Sequence, residues 1–77
     1  MPRLPLISAD EAIRAFEKIG YRVIRQRGSH FRLRHEQGEK HQPLTIPNHK
    51  ILKPGLLRRI IKDASLTMDE FTELLGE

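Results

Sequence analysis

The apolar residues of this 77-residue chain change their spacing twice, and that change restricts the fold more than any other feature. Ala9, Ala12, Ile13, Phe16 and Ile19 recur every three or four positions, as one stripe of a helix does. Ser8 and Glu11 stand three apart ahead of that stripe, where each side chain can satisfy the other's free backbone N–H, and Gly20 closes it. A first helix is expected over residues 8–19. Tyr21 to Gln26 is rich in β-forming residues, and Arg27-Gly28 is a turn signal. From His30 the spacing drops to two. Phe31 and Leu33 then point inward, while His30, Arg32 and Arg34 point outward together.

After a polar loop over residues 36–42, Pro43 to Pro47 reads as a short strand with Leu44 and Ile46 inward and Thr45 outward. Prolines at both ends suit an edge strand, because proline has no N–H for a ladder. The helical period then returns. Pro54 fits a first helical position, and Leu56, Leu57, Ile60, Ile61 and Ala64 form a second stripe with Arg58, Arg59 and Lys62 off it. Thr67 and Glu70 repeat the capping pattern before Met68, Phe71, Leu74 and Leu75, a short third helix. The order is α-β-β-β-α-α. The expected architecture is α+β, a three-stranded antiparallel sheet with helices on one face and the other face open. The whole chain, 1–77, is expected to form a single domain. At this size about 60% of the unfolded surface is buried, so a site should be a shallow surface patch.

The chain has no cysteine, which excludes disulfides, thiolate metal sites and a cysteine nucleophile. Met1 to Pro5 resembles neither a signal peptide nor a membrane span, so a cytoplasmic protein without a membrane partner is expected. The net charge is +4 and unevenly spread. Arg14, Lys18, Arg22, Arg25, Arg27, Arg32 and Arg34 face only Glu17 between positions 14 and 34. Asp63, Asp69, Glu70, Glu73 and Glu77 end the chain without a basic residue among them. A basic body with an acidic end points to a polyanionic partner on one face, or to an ordinary solvated surface.

Among the histidines at 30, 35, 41 and 49, His30 is the most informative. It follows a Gly28-Ser29 turn and shares its face with Arg32 and Arg34. RNA can be cut without a metal when a base removes the ribose 2′-OH proton, cations hold the charge on phosphorus oxygens, and an acid protonates the leaving 5′-oxygen. Histidine suits the proton transfers because its ordinary pKa is about 6.5. Arginine suits the phosphate through planar multiple donors. The plain alternative is an exposed strand histidine without a task. His35 falls on the inward parity and reads as a boundary residue; His41 lies in the polar loop and carries little weight. His49, in Pro47-Asn48-His49-Lys50, leaves the third strand and is the second candidate proton carrier, or simply a loop residue.

No metal site is expected. Asp10 and Glu11 diverge on a helix, and His30 and His35 face opposite ways on a strand. No cofactor is expected either. Lys50, Lys53 and the start of the second helix could hold an anion on free N–H groups, with Gly55 leaving the approach open; a bare helix cap is the other reading. The few aromatic residues belong mostly to the core, so a stacking platform for bases is not expected.

In this order and at these intervals, several segments resemble the HicA (YcfA-like) family of bacterial toxin mRNA interferases. They are the Pro5-to-Gly20 helix, Arg25-Gln26-Arg27-Gly28-Ser29-His30, Ile46-Pro47-Asn48-His49, Leu52-Lys53-Pro54-Gly55-Leu56-Leu57-Arg58-Arg59-Ile60-Ile61, and Asp69-Glu70-Phe71. The resemblance implies a fold like the double-stranded RNA-binding domain with an added C-terminal helix. It also implies a toxin that cleaves mRNA, with the histidine of Gly-Ser-His, here His30, essential. Arg25, Arg27, Ser29, Arg32, Arg34, Lys50 and Lys53 complete the expected RNA-contacting set. The implied partners are mRNA and a HicB-type antitoxin that blocks the active face, the free toxin being a monomer and the complex a larger oligomer. One departure stands out: Ala64-Ser65-Leu66 occupies a turn where the family usually has glycine.

Two other functions remain open on the residues alone. A non-catalytic RNA-binding module would use the same basic face through phosphate and 2′-OH contacts. A DNA-binding helix-turn-helix could use the second and third helices, although the acidic Asp69, Glu70 and Glu73 would repel the phosphates.

Overall fold

Both spacings lead to one connected core. The computed structural model describes residues 4–38 and 40–76. The elements are α1 (Ala9–Glu17), β1 (Tyr21–Arg27), β2 (His30–His35), β3 (Leu44–Pro47), α2 (Pro54–Asp63) and α3 (Met68–Leu75). The strands form one antiparallel sheet in the order β1-β2-β3, so β1 and β3 are its edges. Leu33, Leu44 and Ile46 of the sheet are buried with Ala12, Ile13 and Phe16 of α1 and Leu57, Ile60 and Ile61 of α2. Phe71 of α3 joins from above, its ring 5.0 Å from Phe16. The fold is the expected α+β arrangement, like the double-stranded RNA-binding domain with an extra helix. Among the described residues, no helix is long and apolar enough to cross a membrane.

Both capping boxes form. Glu11 N–H donates to Ser8 Oγ (3.2 Å) and Ser8 N–H to Glu11 Oε1 (3.1 Å); Thr67 and Glu70 repeat the exchange. The first helix stops earlier than its apolar stripe. Ile19 N–H reaches only to Phe16 O (3.1 Å), a tightened last turn, and Gly20 reverses the chain with φ +110°. A side chain at Gly20 would also place its Cβ 2.7 Å from His35 Nε2.

That contact reflects how His35 is held. Its Nδ1 accepts the Gln37 N–H (3.1 Å), so Nε2 carries the proton and donates to Ile19 O at 2.6 Å. Its ring packs 4.1 Å from His41 and 5.1 Å from Tyr21, while His41 Nδ1 lies 2.6 Å from Ala64 O. Tyr21 is fully buried and donates its hydroxyl to Gln42 O (2.8 Å). Burial, with the nearby Asp63 carboxylate adding to it, pushes the Tyr21 phenol up to about 12. Together these rings clasp the β2–β3 connection to the end of α1 and the end of α2.

The departure at Ala64-Ser65-Leu66 has a definite geometry. Leu66 N–H donates to Ile61 O (3.1 Å) and Ser65 N–H to Lys62 O (2.9 Å), the pair of bonds that ends a helix with a left-handed residue. Ser65 occupies that position with φ +61°, and it alone has a positive φ among the described non-glycine residues. Its hydroxyl donates to Lys40 O.

Candidate functional site

Strict alternation from the buried Tyr21 would send Arg25 and Arg27 to the core side. The chain avoids this with a bulge. Tyr21, Arg22 and Val23 pair with His35, Arg34 and Leu33, whereas Arg25, Gln26 and Arg27 pair with Arg32, Phe31 and His30. Ile24 is the extra residue, and inserting it reverses the parity of everything that follows on β1. Gln26 therefore lies opposite the inward Phe31, and Arg25 and Arg27 join His30, Arg32 and Arg34 on the open face. This step could not be read from the apolar pattern, because Val23, Ile24 and Arg25 show no period.

The result is an electrostatic concentration across neighbouring strands. Arg22 stands opposite Arg34, Arg25 opposite Arg32, and Arg27 opposite His30. Like charges directly opposite each other, as in the two Arg–Arg pairs, are destabilising. The protein does little to neutralise them. Among the described residues the one ion pair joins Arg22 to Glu36 at 3.6 Å, and Arg22 also donates to Tyr21 O (2.7 Å) and Glu17 O (3.2 Å) at the end of α1. Arg32 donates to Thr45 Oγ1 (2.8 Å) on β3, which aims its guanidinium across the sheet. A face built this way is suited to a polyanion that supplies the missing negative charge.

Arg25, Arg27, His30, Phe31, Arg32 and Thr45 line an open depression of about 210 Å³. His30 is exposed at its margin. It begins β2, with Arg27 opposite it on β1 and Pro47 opposite it on β3. The position follows from the hairpin. Gly28 takes φ +58° at the first of two loop residues, the place where such a turn needs glycine, so Arg27 and His30 close the ladder. Ser29 is exposed at the tip, and its carbonyl accepts the Asn48 N–H (2.6 Å), which ties the hairpin to the segment after β3.

The other residues expected from sequence do not line this depression. Arg34 shares the face one pair further along β2. His49 is exposed two residues beyond the partner of His30, with its backbone fixed by Ala9 N–H donating to His49 O (3.0 Å). Lys50 is exposed in the same segment. Lys53 caps α2, whose first turn has no side-chain cap and no acidic residue, and Gly55 leaves open space there. His35 has both ring nitrogens engaged within the fold, as its inward parity suggested. Thr45 also lines the depression, and its outward parity on β3 is the one sign of this in the sequence.

The family model for the HicA toxin of bacterial toxin-antitoxin matches residues 9–66. The chain belongs to the HicA toxin family. No curated protein matches the chain in sequence. The matched HicA span opens on the first residue of α1 and closes on Leu66, so it contains the sheet, α2 and every residue of the arginine face. Helix α3, with the Asp69-Glu70-Phe71 segment that took part in the sequence resemblance, lies beyond it. Membership of the HicA family makes the protein the toxin of a toxin–antitoxin pair, with a cognate antitoxin as partner. Among the described residues no group of three or more His, Cys, Asp or Glu side chains could hold a metal ion.

Proposed function

We propose that this HicA-family protein is a metal-independent endoribonuclease that cleaves mRNA with His30. The observation that carries the reading is the placement of one exposed imidazole at the margin of a depression walled by Arg25, Arg27 and Arg32. In the reaction a base removes the ribose 2′-OH proton, the 2′-oxygen bonds to phosphorus, and the P–O5′ bond breaks. An acid returns a proton to the 5′-oxygen, leaving a 2′,3′-cyclic phosphate and a 5′-hydroxyl. His30 serves as one of the two proton carriers, and His49, beyond β3, is the candidate for the other. Arg25, Arg27, Arg32 and Arg34 hold phosphates. Ser29, Lys50 and Lys53 extend the contacts around the hairpin tip and the start of α2.

The same face serves regulation: a HicB-type antitoxin covers it with acidic or apolar surface, forming a larger oligomer from a monomeric cytoplasmic toxin. Cleavage of RNA by the wild type in EDTA, beside His30→Ala checked for native circular dichroism, tests the catalytic claim. Loss of one positioned proton carrier lowers the rate about 10²- to 10⁴-fold, and the variant should still bind RNA. A second reading, RNA binding without turnover, draws support from the His30 ring, which no described side chain holds by a hydrogen bond. Its mark is salt-sensitive binding with no cleavage by the wild type, and that result would overturn the nuclease.

A further inference from the structure

The depression beside His30 continues over the edge of the sheet. A second depression, of about 300 Å³, is lined by Arg32, Pro43, Thr45, Leu56, Arg59 and Asp63 among others. Arg32 and Thr45 border both depressions. They are register partners on β2 and β3, joined by the 2.8 Å bond from the guanidinium to Thr45 Oγ1. The two hollows therefore meet at that bond, and together they make one track from His30 across β3 to α2.

We infer that an RNA strand follows this track, and that Arg59 binds a second phosphate displaced along the strand from the one next to His30. The inference rests on the RNA-cleaving reading and extends it to a binding subsite. Three features of the surface support it. The edge strand β3 is only four residues long, and Thr45 is its exposed mid-strand side chain, so no bulky ridge separates the hollows. Leu56, Arg59, Ile60 and Asp63 recur every three or four positions and face β3 together, which turns Arg59 toward the track; Arg58 and Lys62 fall on another side of the helix. Pro43 and Leu56 add apolar lining on which a ribose or base can pack, in the same hollow as Arg32 and Arg59. Asp63, half-buried one turn beyond Arg59, repels phosphate and marks where the strand leaves α2.

The test uses the full chain carrying His30→Ala, so that RNA is bound and not consumed. Binding of labelled single-stranded RNA of about four and about ten nucleotides, lengths within the range of one small binding fold, is followed by fluorescence anisotropy across a salt series. Adding Arg59→Ala should weaken the longer strand about 5- to 10-fold and lower its salt slope by about 0.7, the loss of one phosphate contact to a single strand. The shorter strand should change less than about twofold. Arg58→Ala removes the same charge from the same helix and controls for unspecific attraction; it should leave the length dependence intact. Equal effects of Arg59→Ala and Arg58→Ala, or equal effects on both lengths, overturn the track. Failure of the His30→Ala protein to bind RNA of either length would overturn both this inference and the function it rests on, whereas RNA cleavage that is indifferent to Arg59 overturns the inference alone.

Discussion

Replacing Ser65 separates two energies that the turn after α2 combines. The serine holds φ +61°, a conformation in which an L side chain crowds the following carbonyl at a cost of roughly 1–2 kcal/mol. Its hydroxyl partly compensates by donating to Lys40 O, and an exposed hydrogen bond of this kind contributes about 0.5–1.5 kcal/mol. Ser65→Ala keeps the backbone cost and loses the bond, so it should destabilise the protein by about 1 kcal/mol. Ser65→Gly loses the same bond but also relieves the backbone, so the two terms nearly cancel and the variant should match the wild type within about 0.5 kcal/mol. The glycine variant should thus exceed the alanine variant by about 1 kcal/mol. In a domain of this size each kcal/mol moves Tm by about 4–8 °C. Urea unfolding followed by circular dichroism, with thermal melts beside it, gives both quantities. Equal stability of the glycine and alanine variants would refute the reasoning, because it would mean that the turn relaxes out of the left-handed region at no cost. Ser65 lies far along the chain from the arginine face, and both variants should cleave RNA as the wild type does.

Tyr21 gives the fold an alkaline limit. Its phenol is held at about 12 in the folded protein against about 10 when unfolded, so the unfolded state ionises first as pH rises. The stabilisation is complete below about pH 10 and is lost between pH 10 and 12, by about 2–3 kcal/mol. Tyr21→Phe should flatten this loss at the expense of the bond to Gln42 O. Because the chain has one tyrosine and no tryptophan, tyrosinate absorbance follows the group directly. On the open face, Arg32→Glu and Arg34→Glu should each weaken both RNA cleavage and antitoxin affinity, measured by a cleavage assay and by calorimetry. Unchanged antitoxin affinity in both variants would refute a shared face.

Much of the architecture follows from local rules that leave marks in the sequence. The two capping boxes, Pro54 opening α2 and the alternation through Phe31 and Leu33 depend on neighbours three or four positions away, or on every second residue. Each therefore appears in the structure where the residues put it. The grouping of His30, Arg32 and Arg34 was legible for the same reason, since one strand's parity decides it. His35 was legible as an inward residue, though its bonds to Ile19 O and Gln37 N–H were not.

What the tertiary structure alone decided concerns contacts between strands and across distant segments. The extra residue Ile24 is defined only by pairing against β2, because a bulge is a mismatch between two chains and not a property of either one. That mismatch turns Arg25 and Arg27 outward and makes three outward residues of β2 into a two-stranded field of positive charge. The bond from Arg32 to Thr45 and the approach of Arg59 to β3 likewise join residues 13 or more positions apart, where no periodicity in the sequence can relate them. Local spacing thus settles which elements form and which way most side chains point, while the registry between elements settles which charges share a surface.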